Sequence, residues 1–274
     1  MPKNDTKTDT KKVALVTGAS SGIGRSTALL LASKGYRVFG TSRNPDLSDK
    51  DIDMMHLDVD FDESASSCIT AIMDLEGRLD VLVNNAGYLL TGALEELSTN
   101  ELKSQFETNF FGCARMVREV LPIMRAQKSG SIINVSSLAD TIPMPFQGAY
   151  ATSKAALFAY SEVLRQEVKG FGVKVSVVEP GYIKTAVIEK GKTPAEPMDE
   201  YVAKRQRVSS MISGDIAKGE DPDIVAKAIL RIIRSRNPRF RYPVGKHGIY
   251  LLAKRFAPES TFESNFRKHW GLDE

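Results

Sequence analysis

Between the apolar run Val13-Ala14-Leu15-Val16 and a helix-period pattern that stops at Gly35 lies Thr17-Gly18-Ala19-Ser20-Ser21-Gly22-Ile23-Gly24. No other stretch restricts the fold as much. Four apolar residues without polar alternation suit a strand covered on both faces. The glycines that follow permit a tight turn and close approach of a ligand to the backbone. A helix starting here leaves free N–H groups in its first turn, and its dipole adds positive potential. Together these make a cradle for a pyrophosphate. The competing reading is a Gly-rich turn with a structural role alone. Gly18, Gly22 and Gly24 are spaced more widely than GxGxxG, and no Gly-Lys-Ser/Thr follows, which disfavours a nucleoside-triphosphate loop.

The alternation continues along the chain. Further strands are expected at residues 38–40, 54–59, 81–83, 132–135, 173–178 and 239–242. Helices are expected at 64–75, 102–124, 150–168 and 224–233, with Pro122 as a late kink or stop. Right-handed crossovers then favour a Rossmann-like α/β fold. Its doubly wound, mostly parallel seven-stranded sheet would carry helices on both faces. We expect a flexible segment at 1–11 and one NAD(P)-binding domain over 12–274. Within it, a substrate lid falls near 186–215 and an extension near 245–274.

Composition excludes several functions. A net charge of +3 is too small to mark a nucleic-acid binder, although residues 201–274 hold 15 basic against 8 acidic side chains. That excess reads as a charged outer face or as a site for an anionic partner such as acidic lipid. Cys68 and Cys113 are too few for a disulfide framework, and His56, His247 and His269 lack metal-ligand spacing, so no metal is expected. No apolar run is long enough to span a bilayer, and the first twelve residues are polar. A cytoplasmic location is the expectation.

The end of the second strand, Ser42-Arg43, offers a hydroxyl and a cation where an NAD-binding chain commonly carries an acid for the ribose diol. A cation there favours an additional ribose phosphate, hence NADP(H) over NAD(H); the alternative is a solvent-facing arginine. Asp58 reads either as an acceptor for the adenine amino group or as a turn carboxylate. Tyr150 and Lys154 are four residues apart and share a helix face. A free phenol titrates near pH ~10, and a neighbouring ammonium favours the phenolate. Such a tyrosine exchanges a proton with an alcohol or carbonyl oxygen while hydride moves. Ser137, just past a strand end, can polarise that oxygen. Alone, the Tyr150/Lys154 pair reads more readily as a plain surface pair. No GxSxG elbow supports a hydrolase.

In their order these motifs resemble the short-chain dehydrogenase/reductase family over about residues 11–245. Thr17 to Gly24 is similar to its TGxxxGxG turn, Asn84-Asn85-Ala86-Gly87 to its NNAG segment, and Ser137 with Tyr150-x-x-x-Lys154 to its active site. Pro180-Gly181 and Thr185 are similar to its PGxxxT segment. The resemblance implies that Asn109 is a fourth catalytic residue, fixing a water that links Lys154 to solvent, and that Lys154 also holds ribose hydroxyls. It implies cofactor contacts at Gly18, Ser20, Ser21, Gly22, Ile23, Gly24, Ser42, Arg43, Asp58, Val59, Asn85, Ala86, Gly87, Tyr150, Lys154, Pro180, Gly181, Ile183 and Thr185. It further implies a homodimer or homotetramer built through the two long helices.

Leu89, Leu90, Ile142, Met144, Phe146, Tyr182, Val187 and Met211 form an apolar-leaning set near the strand ends. They suit an apolar secondary alcohol, ketone or aldehyde: a steroid, a retinoid or a lipid-derived carbonyl. Each equally suits packing of the lid. The lid and tail, with Glu179-Pro180-Gly181, resemble the branch containing 17β-hydroxysteroid and retinol dehydrogenases. A 3-oxoacyl-thioester reductase is the runner-up, disfavoured by the roughly thirty residues after Tyr242. A non-catalytic NADP(H)-binding scaffold or sensor is the alternative from another class. The aromatic tail could cover the pocket, join a subunit interface or touch lipid; core packing is the default.

Overall fold

The computed structural model describes residues 11–47, 50–187 and 191–272. The expected flexible segment lies outside them except for Lys11, as do 188–190 of the lid and the last two residues.

Residues of strand β1 (Val13–Val16) alternate between two cores. Val13 and Leu15 pack with Ile69, Ile72, Met116, Val120 and Leu164 on one side. Ala14 and Val16 pack with Ala28, Leu31, Val225, Ile229 and Ile232 on the other. A period-2 strand with both faces apolar must be covered twice, and helices do so. Helices α1 (Gly22–Ser33) and α7 (Asp223–Arg234) cover one face. Helices α2 (Asp62–Glu76), α4 (Gly112–Gln127) and α5 (Gly148–Val168) cover the other.

The remaining strands are β2 (Arg37–Ser42), β3 (Asp53–His56), β4 (Val81–Asn84), β5 (Gly130–Val135), β6 (Val173–Pro180) and β7 (Arg241–Val244). Their order across the sheet is β3-β2-β1-β4-β5-β6-β7, and every neighbouring pair is parallel. The expected doubly wound, seven-stranded fold is present, and its described strands are all parallel. The winding direction reverses between β1 and β4, which opens a crevice beyond their carboxyl ends. Helix α3 (Thr99–Phe106), capped by a reciprocal Ser98–Glu101 box, precedes α4. Helix α6 (Asp199–Ala217) occupies most of the expected lid, and α8 (Ile249–Phe256) and α9 (Glu259–Trp270) form the extension. Among the described residues no helix is long and apolar enough to cross a membrane.

Several boundaries differ from expectation for local reasons. β3 stops at His56 rather than 59 because the Asp58 carboxylate accepts from Asp60 N–H at 3.2 Å and bends the chain into a turn. β7 starts at Arg241 because Arg239 N–H is spent on the Tyr242 hydroxyl at 2.8 Å. Pro122 neither stops nor ends its helix: α4 continues to Gln127 and terminates at Lys128 in the left-handed conformation, φ 51°. The long helical stretch is instead interrupted by a π-turn at Glu107–Phe111.

Candidate active site

Along the carboxyl ends of the strands runs a cavity of about 990 Å³. Its first half is built from the β1–α1 loop. Gly18 and Gly22 adopt left-handed φ of +67° and +56°, which other residues enter only with strain. Gly24 is buried, and a Cβ there would stand 2.2 Å from the Gly18 carbonyl oxygen. The loop is latched to the end of β4. The Thr17 hydroxyl accepts from Asn85 N–H and Ala86 N–H, both at 2.9 Å. The Asn85 side-chain amide donates to the Thr17 and Gly18 carbonyls at 3.0 and 3.2 Å. Two chain segments 68 residues apart therefore meet where the crevice opens.

Ser20, Ser21, Gly22 and Ile23 border the cavity, as do Ser42, Arg43, Asp58, Val59, Asn85, Ala86 and Gly87. Arg43 is exposed. Beside it the Ser42 hydroxyl is buried without a partner among the described residues, in a wall where polar groups are ordinarily satisfied. Free helix N–H groups, left-handed glycines and an unmatched hydroxyl beside a cation are what a dinucleotide requires, so the residues fit that group. Of the expected contacts, only Gly24 does not border the cavity; it supports the loop from beneath.

The second half is built on β5, β6 and α5. Ser137 follows β5, its hydroxyl accepting from Ala139 N–H at 3.2 Å. Tyr150 and Lys154 rise from α5 one turn apart. Ser137, Tyr150 and Lys154 all border the cavity, so the serine and phenol hydroxyls share one wall. The Lys154 ammonium is buried, donates to the Val135 carbonyl at 2.8 Å and lies 5.8 Å from the Tyr150 ring centre. Burial raises the Tyr150 phenol above its ordinary value; the Ser137 hydroxyl opposes this, and the Asp140 charge adds to it. Desolvation is thus the largest influence on the phenol. Burial likewise pushes Lys154 down, while nearby negative charge on Cys113 and Asp140 would hold it up.

Asn109 does not border the cavity. It sits in the π-turn with 0% exposure, and its amide is engaged by Tyr88 N–H, the Tyr88 carbonyl and the Ser153 hydroxyl at 3.0–3.2 Å. Its oxygen lies 2.9 Å from where a Cβ on Gly87 would be, so it stands directly behind that wall. Pro180, Gly181, Ile183 and Thr185 close the floor.

Leu89, Ile142, Met144, Tyr182 and Val187 line the cavity as expected, while Leu90, Phe146 and Met211 do not. Leu90 packs against Leu97 and Ala149, and the other two pack around Trp270. The tail forms the roof through Tyr250, Ala253, Phe262, Phe266 and Trp270. Core packing is the default expectation for the tail, with pocket cover, subunit interface and lipid contact as alternatives; Trp270 is packed in a core cluster while its neighbours cover the pocket. Sequence reasoning passed over a buried cluster behind Ser137, formed by Asp140, Glu179 and Arg241. Among the described residues no group of His, Cys, Asp or Glu could hold a metal ion.

Comparison with known proteins agrees with this geometry. A family model described as short chain dehydrogenase matches residues 12–195. A 3-ketodihydrosphingosine reductase of Bacteroides thetaiotaomicron is 38% identical over 265 residues, covering 95% of this chain and 98% of that protein. The structure of a short-chain dehydrogenase from Streptomyces avermitilis superposes with a TM-score of 0.82 at 33% identity, covering 97% and 99% of the two chains. ElxO with NADP bound gives a TM-score of 0.74 at 27% identity over 88% and 99%. A Burkholderia phymatum dehydrogenase in complex with NAD gives 0.77 at 25% over 89% and 92%.

Proposed function

The chain belongs to the short-chain dehydrogenase family, whose members are NAD(P)-dependent oxidoreductases, and from that premise we propose that it reduces an apolar ketone or aldehyde with NADPH. The observation that carries this reading is the convergence of Ser137, Tyr150 and Lys154 on one cavity wall, with the Lys154 ammonium 5.8 Å from the Tyr150 ring centre. When bound, the dinucleotide supplies the hydride. Tyr150 donates its phenolic proton to the oxygen of the reduced carbonyl. Its raised pKa suits a group that must arrive protonated. Ser137 holds the oxygen and strengthens its polarisation. Lys154 orients the ribose hydroxyls and stabilises the phenolate left behind. Asn109 positions the Tyr88 backbone, with a water relay to Lys154 in the same reading. The glycines of the first loop hold the pyrophosphate, Asp58 and Val59 the adenine, and Ser42 with Arg43 a ribose phosphate.

The substrate belongs to the lipid-derived carbonyls, with steroids and retinoids as related apolar candidates. The size of the cavity, its aromatic roof and the 38% identical relative named for a keto-lipid support this. The branch of 17β-hydroxysteroid and retinol dehydrogenases is part of the same proposal, as is a cytoplasmic location, with which two free, buried cysteines agree. Homodimer or homotetramer formation through α4 and α5 is supported by exposed Phe111 and Val163.

Purified protein is tested with NADPH and NADH against aliphatic, steroid, retinoid and long-chain lipid ketones and acyl-thioesters. Tyr150→Phe is expected to cut turnover about 10²- to 10⁴-fold with little change in cofactor binding; unchanged turnover rejects the assignment. Arg43→Ala is expected to weaken NADPH about 10- to 100-fold, the range of a lost charge-assisted contact, and NADH hardly at all. Equal losses contradict the phosphate contact. Preference for acyl-thioesters supports the runner-up, and tight NADPH binding without hydride transfer to any panel member supports a scaffold.

A further inference from the structure

Behind Ser137, on the side away from the cavity, two carboxyl groups are buried together. Glu179, at the end of β6, has a fully buried side chain, and the Asp140 side chain is 1% exposed. Asp140 lies in the short turn Leu138–Asp140 that follows Ser137. A single guanidinium, that of Arg241, reaches both of them, which places the two carboxyls around one cation. Two buried carboxylates so placed repel, and a proton on one of them removes that repulsion. One cation is in contact with both carboxyls. Arg241, from β7, donates to both Glu179 oxygens at 2.5 Å, to the Thr141 hydroxyl at 2.8 Å, and stands 3.8 Å from Asp140. Its guanidinium also lies over the Phe158 ring of α5 at 5.0 Å.

One guanidinium balances one negative charge, so a singly protonated pair leaves this pocket neutral. The pair is also tied to the site in front of it. The Ser136 hydroxyl donates to Asp140 at 2.7 Å, one residue before Ser137. The Thr141 hydroxyl bonds the other Asp140 oxygen at 2.9 Å. Lys254 of α8 donates to the Thr141 carbonyl. The ionisable groups facing the pair are therefore Arg241 from β7, Tyr150 and Lys154 from α5, and Lys254 from α8.

We propose that Asp140 and Glu179 share one proton and act as positioning residues that set the charge behind the Ser137–Tyr150 site. With the proton in place, the turn holds Ser137 and one negative charge faces Arg241. When the proton leaves to solvent, a second negative charge appears behind Tyr150 and raises the phenol's affinity for its own proton. The direction is fixed by Coulomb's law: added negative charge disfavours phenolate and favours ammonium at Lys154. The pair thus keeps Tyr150 protonated into alkaline solution, the state a proton donor needs. Supporting this, burial pushes the Glu179 carboxyl up to about 7, with Arg241 opposing and Asp140 adding to the rise.

The inference rests on the proposed role of Tyr150, but its test uses no substrate. Infrared difference spectra of the whole chain between pH 6 and pH 9 are expected to show loss of a protonated-carboxyl C=O band. Asp140→Asn and Glu179→Gln should each abolish that component. Tyr150 ionisation is then followed by tyrosinate absorbance, with the Tyr150→Phe form of each background subtracted. Both variants should ionise Tyr150 more readily, with an ionisation constant at least about threefold larger, because each lacks one negative charge at high pH. No protonated-carboxyl band in the wild type overturns the proposal, and that measurement stands even if both variants fail to fold. A Tyr150 titration identical in wild type and variants overturns the charge-setting role. Failure of the ketone panel, with both spectroscopic results as expected, sinks the reductase reading and leaves the proton-sharing pair intact.

Discussion

At Gly24 a single added methyl group would meet the Gly18 carbonyl oxygen at 2.2 Å and the Asn85 amide nitrogen at 2.5 Å. Neither can retreat, because Asn85 is itself the clasp holding the loop to β4. Gly24→Ala is therefore expected to destabilise the protein by about 1–3 kcal/mol, the usual cost of overpacking, and to weaken dinucleotide binding as the loop shifts. Urea unfolding and a binding titration read the two effects. The glycines were legible in the sequence because a strand, a turn and a helix start leave their marks within eight residues. Ser137, Tyr150 and Lys154 were legible through the resemblance to the family, since spacing alone left the Tyr150/Lys154 pair open to a plain surface role. Asp140, Glu179 and Arg241 were not, since they come from three elements up to 101 positions apart and only strand register brings them together. Leu90, Phe146 and Met211 were assigned to the wall because an apolar side chain near a strand end reads the same whether it faces a ligand or a helix.

The element with the most tension between sequence and structure is α4. Pro122 lies inside it, five residues before its end, where it cannot donate to the carbonyl one turn earlier. The helix persists because Met116, Val117, Val120 and Met124 bury one face against the sheet, with three of the four 0% exposed and Val117 at 1%. Tertiary packing has overridden a local stop signal. Pro122→Ala is expected to raise stability by about 1–3 kcal/mol, part of the penalty proline carries in a helix interior. A thermal melt with no increase would show that the chain has adapted fully to the proline. The π-turn one step earlier has a different standing. It places Asn109 behind Gly87 with its amide fully engaged, and π-turns concentrate at functional sites.

Across the whole molecule, the two halves of the cavity depend on different parts of the chain. The loop half is closed by segments before residue 88, whereas the roof comes from residues after 249. Trp270 ties the roof down: it is 2% exposed and packs on Val208 and Ile212 of α6. Trp270→Ala is expected to cost about 3–5 kcal/mol of local packing, the range for a large aromatic in a core. Because that packing joins α9 to α6 rather than to the sheet, the loss should fall on substrate affinity. KM for apolar carbonyls should rise about tenfold or more while NADPH affinity stays near wild type. A matching loss of NADPH binding would show that the roof and the cradle unfold together.

The clasp between Thr17 and the backbone of Asn85 and Ala86 has a practical consequence for engineering. It fastens the cradle to the middle of the sheet without using any residue of the roof. Chimeras that exchange the segment after β7 between relatives should therefore inherit the recipient's coenzyme choice and the donor's appetite for substrates.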